Sequence, residues 1–163
     1  MMSKTEDASV RTLPGIPAGV LSYLNGEDLL SKTQALRIVT VDADGWPKAA
    51  LVTVGDVLVL PNARLRLAIP ANSGTAANLV RDDRFTLSMA IDGGMCSMRL
   101  RARKCDQGTQ EMPIAFFEAE VERVRMHAAP GANVTSGMTF TLHEPSAVLD
   151  RWQRQITALR AVS

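Results

Sequence analysis

Through the middle of the chain, short runs of apolar and β-branched residues alternate with tight turn residues. Leu36-Arg37-Ile38-Val39-Thr40-Val41 leads into Asp42-Ala43-Asp44-Gly45-Trp46-Pro47, and a second run, Lys48 to Val54, follows at once. Branched side chains favour a pleated strand, and Asp-Ala-Asp-Gly supplies the turn chemistry of a hairpin. Gly55-Asp56 turns the chain into Val57–Leu60, and Pro61-Asn62 turns it again before Leu65–Ile69. Ala76–Arg81 predicts a short helix ended by Asp82-Asp83. Phe85–Ile91 returns to strand, and Asp92-Gly93-Gly94 is a hairpin turn into Met95–Lys104. In that last run Met98, Leu100 and Ala102 alternate with Arg99, Arg101 and Arg103, so one side is apolar and the other faces water or a ligand. Strands at this spacing predict a mainly β protein with some helix, an antiparallel barrel of about six to eight strands.

The flanks read differently. Residues 1–12 are polar and predict a flexible arm. Pro14 and Pro17 exclude a regular helix there, but Pro17 can open a short one carrying Val20, Leu21 and Leu24. Asn25 is a candidate cap for a second helix with Glu27, Asp28, Leu29 and Leu30. Ile114 to Met126 is ambiguous. Ile114, Phe117, Val121 and Val124 fit helical spacing, Phe117, Ala119 and Val121 fit strand alternation, and Glu, Ala and Arg content leans towards helix. Met138–Leu142 predicts a last strand. Residues 145–163 predict a C-terminal helix with Val148, Leu149, Trp152, Ile156 and Leu159 on one face.

Composition narrows the function classes. The 163 residues suit one domain spanning 1–163, and 46% hydrophobic with 21% charged residues is globular. Eighteen basic and 17 acidic residues leave a formal charge of +1, without the basic footprint that nucleic-acid binding needs. No window has the apolar length of a membrane span, and no signal peptide opens the chain, so a soluble, cytoplasmic protein is expected. Cys96 and Cys105 are nine apart; on a continuous strand they fall on opposite faces, which argues against a disulfide. His127 and His143 are the only histidines, and neither sits in a metal-ligand spacing. There is no Gly-x-Ser-x-Gly elbow and no P-loop. An enzyme built from these residues would need a cofactor to supply reactivity.

The loop Asn72-Ser73-Gly74-Thr75 suits that need. Hydroxyls and free N–H groups at a helix start form an anion site, although the same residues also suit a plain helix cap. From Leu36 to Arg103 the order of hairpin, strand, Ser/Thr loop with helix, and strand resembles the FMN-binding split-barrel family related to pyridoxamine 5'-phosphate oxidase. The resemblance implies a split barrel with short N-terminal helices, a strand over 114–126, and FMN held by two segments. Lys48, Ala49, Ala50, Leu51 and Val52 would lie along the flavin ring. Ala68, Ile69, Pro70, Ser73, Gly74 and Thr75 would hold the ribityl chain and phosphate, with Asn78 and Leu79 matching the Asn-Leu that commonly follows. Arg99 would reach the phosphate from the side or from a partner subunit. It also implies a homodimer with sites at the interface, and flavin redox chemistry on a small-molecule substrate.

The chain departs from the pattern at the phosphate. Gly74 and Thr75 stand where the oxidase subgroup carries an Arg-Lys pair, and Ala50 stands where it carries a basic residue. Arg64, Arg66, Arg81 or Arg99 are candidates to compensate. This departure motivates alternatives on the same fold: a non-catalytic module holding FMN, haem or a deazaflavin, or a dimeric scaffold without a ligand. Trp46 reads as an ordinary packed turn residue, with a flavin cover or subunit contact as the alternative; Trp152 reads as core or interface.

Overall fold

A computed structural model describes residues 9–106 and 113–163. Its strands are β1 (Val10–Leu13), β2 (Leu36–Val41), β3 (Pro47–Val52), β4 (Val57–Val59), β5 (Leu65–Pro70), β6 (Arg84–Ile91), β7 (Gly94–Lys104) and β8 (Ile114–His127). The helices are α1 (Ala18–Tyr23), α2 (Gly74–Arg81) and α3 (Pro145–Ala161). One antiparallel sheet runs β3-β2-β6-β7-β8-β5-β4, with β1 added on β8. The sheet curls into a half-barrel, as the strand pattern predicts. β3 and β4 end the row, so among the described residues one edge of β3, on the side of β5, is unpaired.

Two apolar layers lie on the two faces of this sheet. Inside the barrel are Leu36, Ile38, Val52, Leu65, Leu67, Leu87, Met98, Leu100 and Phe117, plugged by Ala76 and Leu79 of α2. Outside, Trp152, Ile156 and Leu159 of α3 pack on Leu58, Ala68, Cys105 and Phe116. β8 serves both layers: Ala115, Phe117 and Ala119 point inward while Phe116 points to α3. Pairing with β5 on one side and β7 on the other makes it a central strand, and these ladders, with burial of both faces over Ala115–Ala119, override its helical propensity. Cys96 and Cys105 fall in different layers and are free thiols, the opposite-face placement their spacing predicts.

Four local expectations change. The arm ends in structure, because Val10–Leu13 pairs with Val124–His127; residues 1–8 lie outside the described residues. The second N-terminal helix is only a 3-10 turn, Leu29–Ser31. Gly26 (φ +80°) and Asp28 (φ +50°) adopt left-handed backbone that interrupts a helix, and Asn25 Oδ1 caps a turn by accepting Glu27 N–H at 2.9 Å. Met138–Leu142 is not a strand. It lies extended against the approach to β2 through Ala35 N–H to Met138 O (2.8 Å) and Phe140 N–H to Thr33 O (2.9 Å), with a single bridge at Gln34 and Thr139. Trp46 is 71% exposed rather than packed. The hairpin tip closes through its own polar atoms, Asp42 Oδ1 accepting Asp44 and Trp46 N–H at 2.9 and 2.8 Å, and needs no indole.

Candidate functional site

The split between the free edge of β3 and the end of β5 holds a cavity of about 360 Å³. Lys48, Ala50, Leu51 and Val52 line one wall and Ala68, Ile69, Pro70, Ser73 and Thr75 another; Ile38, Ile114, Asp56, Arg151 and Gln155 complete it. The opening exists because β4 is short: its pairing with β5 stops at Val57 and Leu67. Ala68 N–H then donates to Asp56 O at 2.8 Å, and beyond that point β5 pairs with no other described strand on this side.

One end of the cavity gathers hydrogen-bond donors and a cation. Ser73 Oγ accepts Ala76 N–H at 3.1 Å and donates to Pro70 O at 2.7 Å. That cap leaves the first-turn N–H groups of Gly74 and Thr75 without intrahelical acceptors. Lys48 Nζ, from β3, donates to Thr75 Oγ1 at 3.1 Å. The lysine stem crosses over Gly74, where a Cβ would sit 3.1 Å from Lys48 Cε. A hydroxyl, a helix N-terminus and an ammonium therefore converge across the split.

The other end is acidic. Asp56 Oδ2 accepts Thr53 N–H and Oγ1–H at 2.7 and 2.9 Å, and Oδ1 accepts Gln155 Nε2–H at 2.8 Å. Burial pushes the Asp56 carboxyl above the usual carboxylate range, against the opposing pull of the Thr53 and Gln155 hydrogen bonds and the nearby charge of Arg151.

No protein-family model matches the chain. It is 29% identical over 143 residues to the uncharacterized protein YclD of Bacillus subtilis, covering 86% of this chain and 93% of that one. A Lactobacillus delbrueckii protein proposed to be a pyridoxamine 5'-phosphate oxidase superposes with a TM-score of 0.53 at 18% identity, over 70% of this chain and 98% of its own. The conserved hypothetical protein Rv2991 of Mycobacterium tuberculosis also gives 0.53, at 15% identity over 75% and 88%. The fold is the split barrel of the pyridoxamine 5'-phosphate oxidase-like proteins.

Within this split barrel the predicted site residues divide. Lys48, Ala50, Leu51, Val52, Ala68, Ile69, Pro70, Ser73 and Thr75 line one cavity, and Gly74 lies under the lysine. Ala49 does not line it, falling between the inward residues of β3. Asn78 is buried away from it as a strut, its Nδ2–H donating to Thr40 Oγ1 at 2.9 Å and its Oδ1 accepting Arg81 Nη2–H at 3.1 Å. Arg99 lines a different cavity, with Val39, Thr86 and Arg101. The other candidate arginines are engaged elsewhere: Arg64 with Glu118 and Glu120 (2.8 and 2.7 Å), Arg66 with Glu118 and Leu159 O (3.0 and 2.8 Å), and Arg81 with Asn78 and Val41 O. Sequence reasoning missed Asp56, Arg151 and Gln155. Gly55-Asp56 reads as a bare turn, and α3 is recognised by its apolar face. The signal available was the polar pair Arg151 and Gln155, one helical turn apart on a single face.

Proposed function

We propose that the chain binds flavin mononucleotide in the split and uses it for redox chemistry on a small organic substrate. The observation that carries this reading is the meeting of Lys48 and Thr75 at 3.1 Å above the Ser73 cap. The cation that the oxidase subgroup carries in the loop is supplied here from β3, and Gly74 leaves room for it. A charge-assisted hydrogen bond to phosphate is roughly twice as strong as a neutral one, so one lysine restores much of what Gly74 and Thr75 forgo. Between the ends, Ile38, Ala50, Val52, Ala68, Ile69 and Ile114 offer the apolar lining a flat ring needs. A bound flavin supplies hydride and electron transfer at its ring, while these residues bind it, orient it and exclude water. Haem fits less well: its iron takes His, Cys, Met or Tyr, and among the described residues none of these lines the cavity.

A homodimer belongs to the same reading. Leu51, at the cavity, is 55% exposed, and Trp46 projects from the same hairpin, so a second copy covering this face would place both sites at the interface. The free thiols of Cys96 and Cys105 suit a reducing cytoplasm, and among the described residues no helix is long and apolar enough to cross a membrane. The test is an absorption spectrum of purified protein before and after FMN is added and the excess removed. Retained near-UV and blue flavin bands are expected; a colourless protein, or a Soret band from haem, would overturn the reading.

A further inference from the structure

We propose that Asp56 and Arg151 read an H–N–C=O edge of the bound heterocycle, with Gln155 as the positioning residue that fixes the carboxyl. The inference rests on the flavin reading and deepens it by assigning the end of the cavity remote from Lys48. A carboxylate offers about four lone-pair sites, and Thr53 N–H, Thr53 Oγ1–H and Gln155 Nε2–H fill three of them. The remaining acceptor position belongs to a side chain that lines the cavity. Gln155 Nε2 is itself saturated, because its second hydrogen goes to Gly55 O at 2.8 Å. The amide therefore holds Asp56 and does not itself donate to a ligand. Arg151, one turn earlier on α3, lines the same cavity as an exposed guanidinium with only donors to offer.

An acceptor beside a donor is the complement of an N–H beside a C=O, the edge that a flavin's pyrimidine ring presents. It is a poor match for a carboxylate-bearing ligand, which Asp56 would repel. Spacing agrees. From Lys48 to Val52 the strand rises by about 13 Å, and Asp56 lies past that end, so one elongated ligand can place its phosphate on Lys48 and its ring edge on Asp56.

The test compares FMN with FMN methylated at ring N3, which removes the N–H and keeps the phosphate. Wild-type protein is expected to bind FMN about tenfold to a hundredfold more tightly than the methylated form. Asp56→Asn is expected to narrow that ratio to within about threefold, because an amide can accept or donate. Arg151→Met, at an exposed helix position that leaves folding intact, is expected to weaken FMN about fivefold or more. Equal wild-type affinity for the two flavins overturns the proposal and leaves the flavin reading standing, as does undiminished discrimination in a folded Asp56→Asn variant. Unchanged FMN affinity in Arg151→Met removes the arginine from the edge. Failure of FMN itself to bind overturns the flavin reading and this inference with it. Should Asp56→Asn not fold, the wild-type comparison and Arg151→Met still decide.

Discussion

Lys48 and Gly74 are separated by 26 positions yet form one functional unit, and neither explains itself alone. If the ammonium is the phosphate cation, Lys48→Met should weaken FMN by about 1.5–3 kcal/mol in a flavin fluorescence titration, with the melting temperature nearly unchanged because the side chain is only partly buried. Thr75→Val is expected to act in the same direction and more weakly. Two carboxyls make opposite contributions to acid stability. The hydrogen bond from Arg64 holds the Glu118 carboxyl below its usual range, helped by Arg66 and Arg103 and opposed by burial. Its stabilisation is therefore present above the unfolded pKa of about 4.3 and is lost as pH falls through the lower folded value. Asp56 is shifted upward, so its contribution is complete below the unfolded pKa and is lost as pH rises through the folded one. Thermal unfolding across acidic pH should show Glu118→Gln with a flatter acid limb than wild type. Asp56→Asn should gain on wild type as pH rises.

Among the elements, α3 depends on two contacts with the sheet. Gly55 lies so close to Trp152 that an added Cβ would stand 2.1 Å from the indole, and Arg66 Nη1–H caps the helix end on Leu159 O at 2.8 Å. Gly55→Ala must push the helix outward and is expected to cost about 1–3 kcal/mol in denaturant unfolding. Because Gln155 and Arg151 ride on the same helix, FMN affinity should fall with it. A variant that loses stability yet keeps full FMN affinity would separate α3 from the site. α2 is anchored differently, through the buried Asn78–Thr40 hydrogen bond. Asn78 thus matches the family pattern while acting here as a strut between helix and barrel.

For the whole molecule, the split is a consequence of sheet order. β3 ends the row on one side and β4 stops short on the other, so the barrel cannot close and a cavity remains between them. If a second copy covers this opening, Leu51→Glu should convert a dimer to a monomer in sedimentation velocity and weaken FMN at the same time; a wild-type monomer would remove the dimer from the proposal. Local sequence determined strands β2 to β7, the hairpin turns at Asp42–Gly45 and Asp92–Gly93, the Ser73 cap and the apolar face of α3, because alternation, turn chemistry and capping act over a few residues. Tertiary structure decided the rest. It made Ile114–His127 a strand by pairing it on both edges and burying both faces of Ala115–Ala119, and left Trp46 in solvent because its turn closes on Asp42. It set Arg99 and Asn78 outside the cavity, and brought Lys48 to Thr75 and Gln155 to Asp56. Those last pairs are 27 and 99 positions apart, and a meeting at that separation depends on how the sheet curls and where α3 docks, which no local pattern encodes.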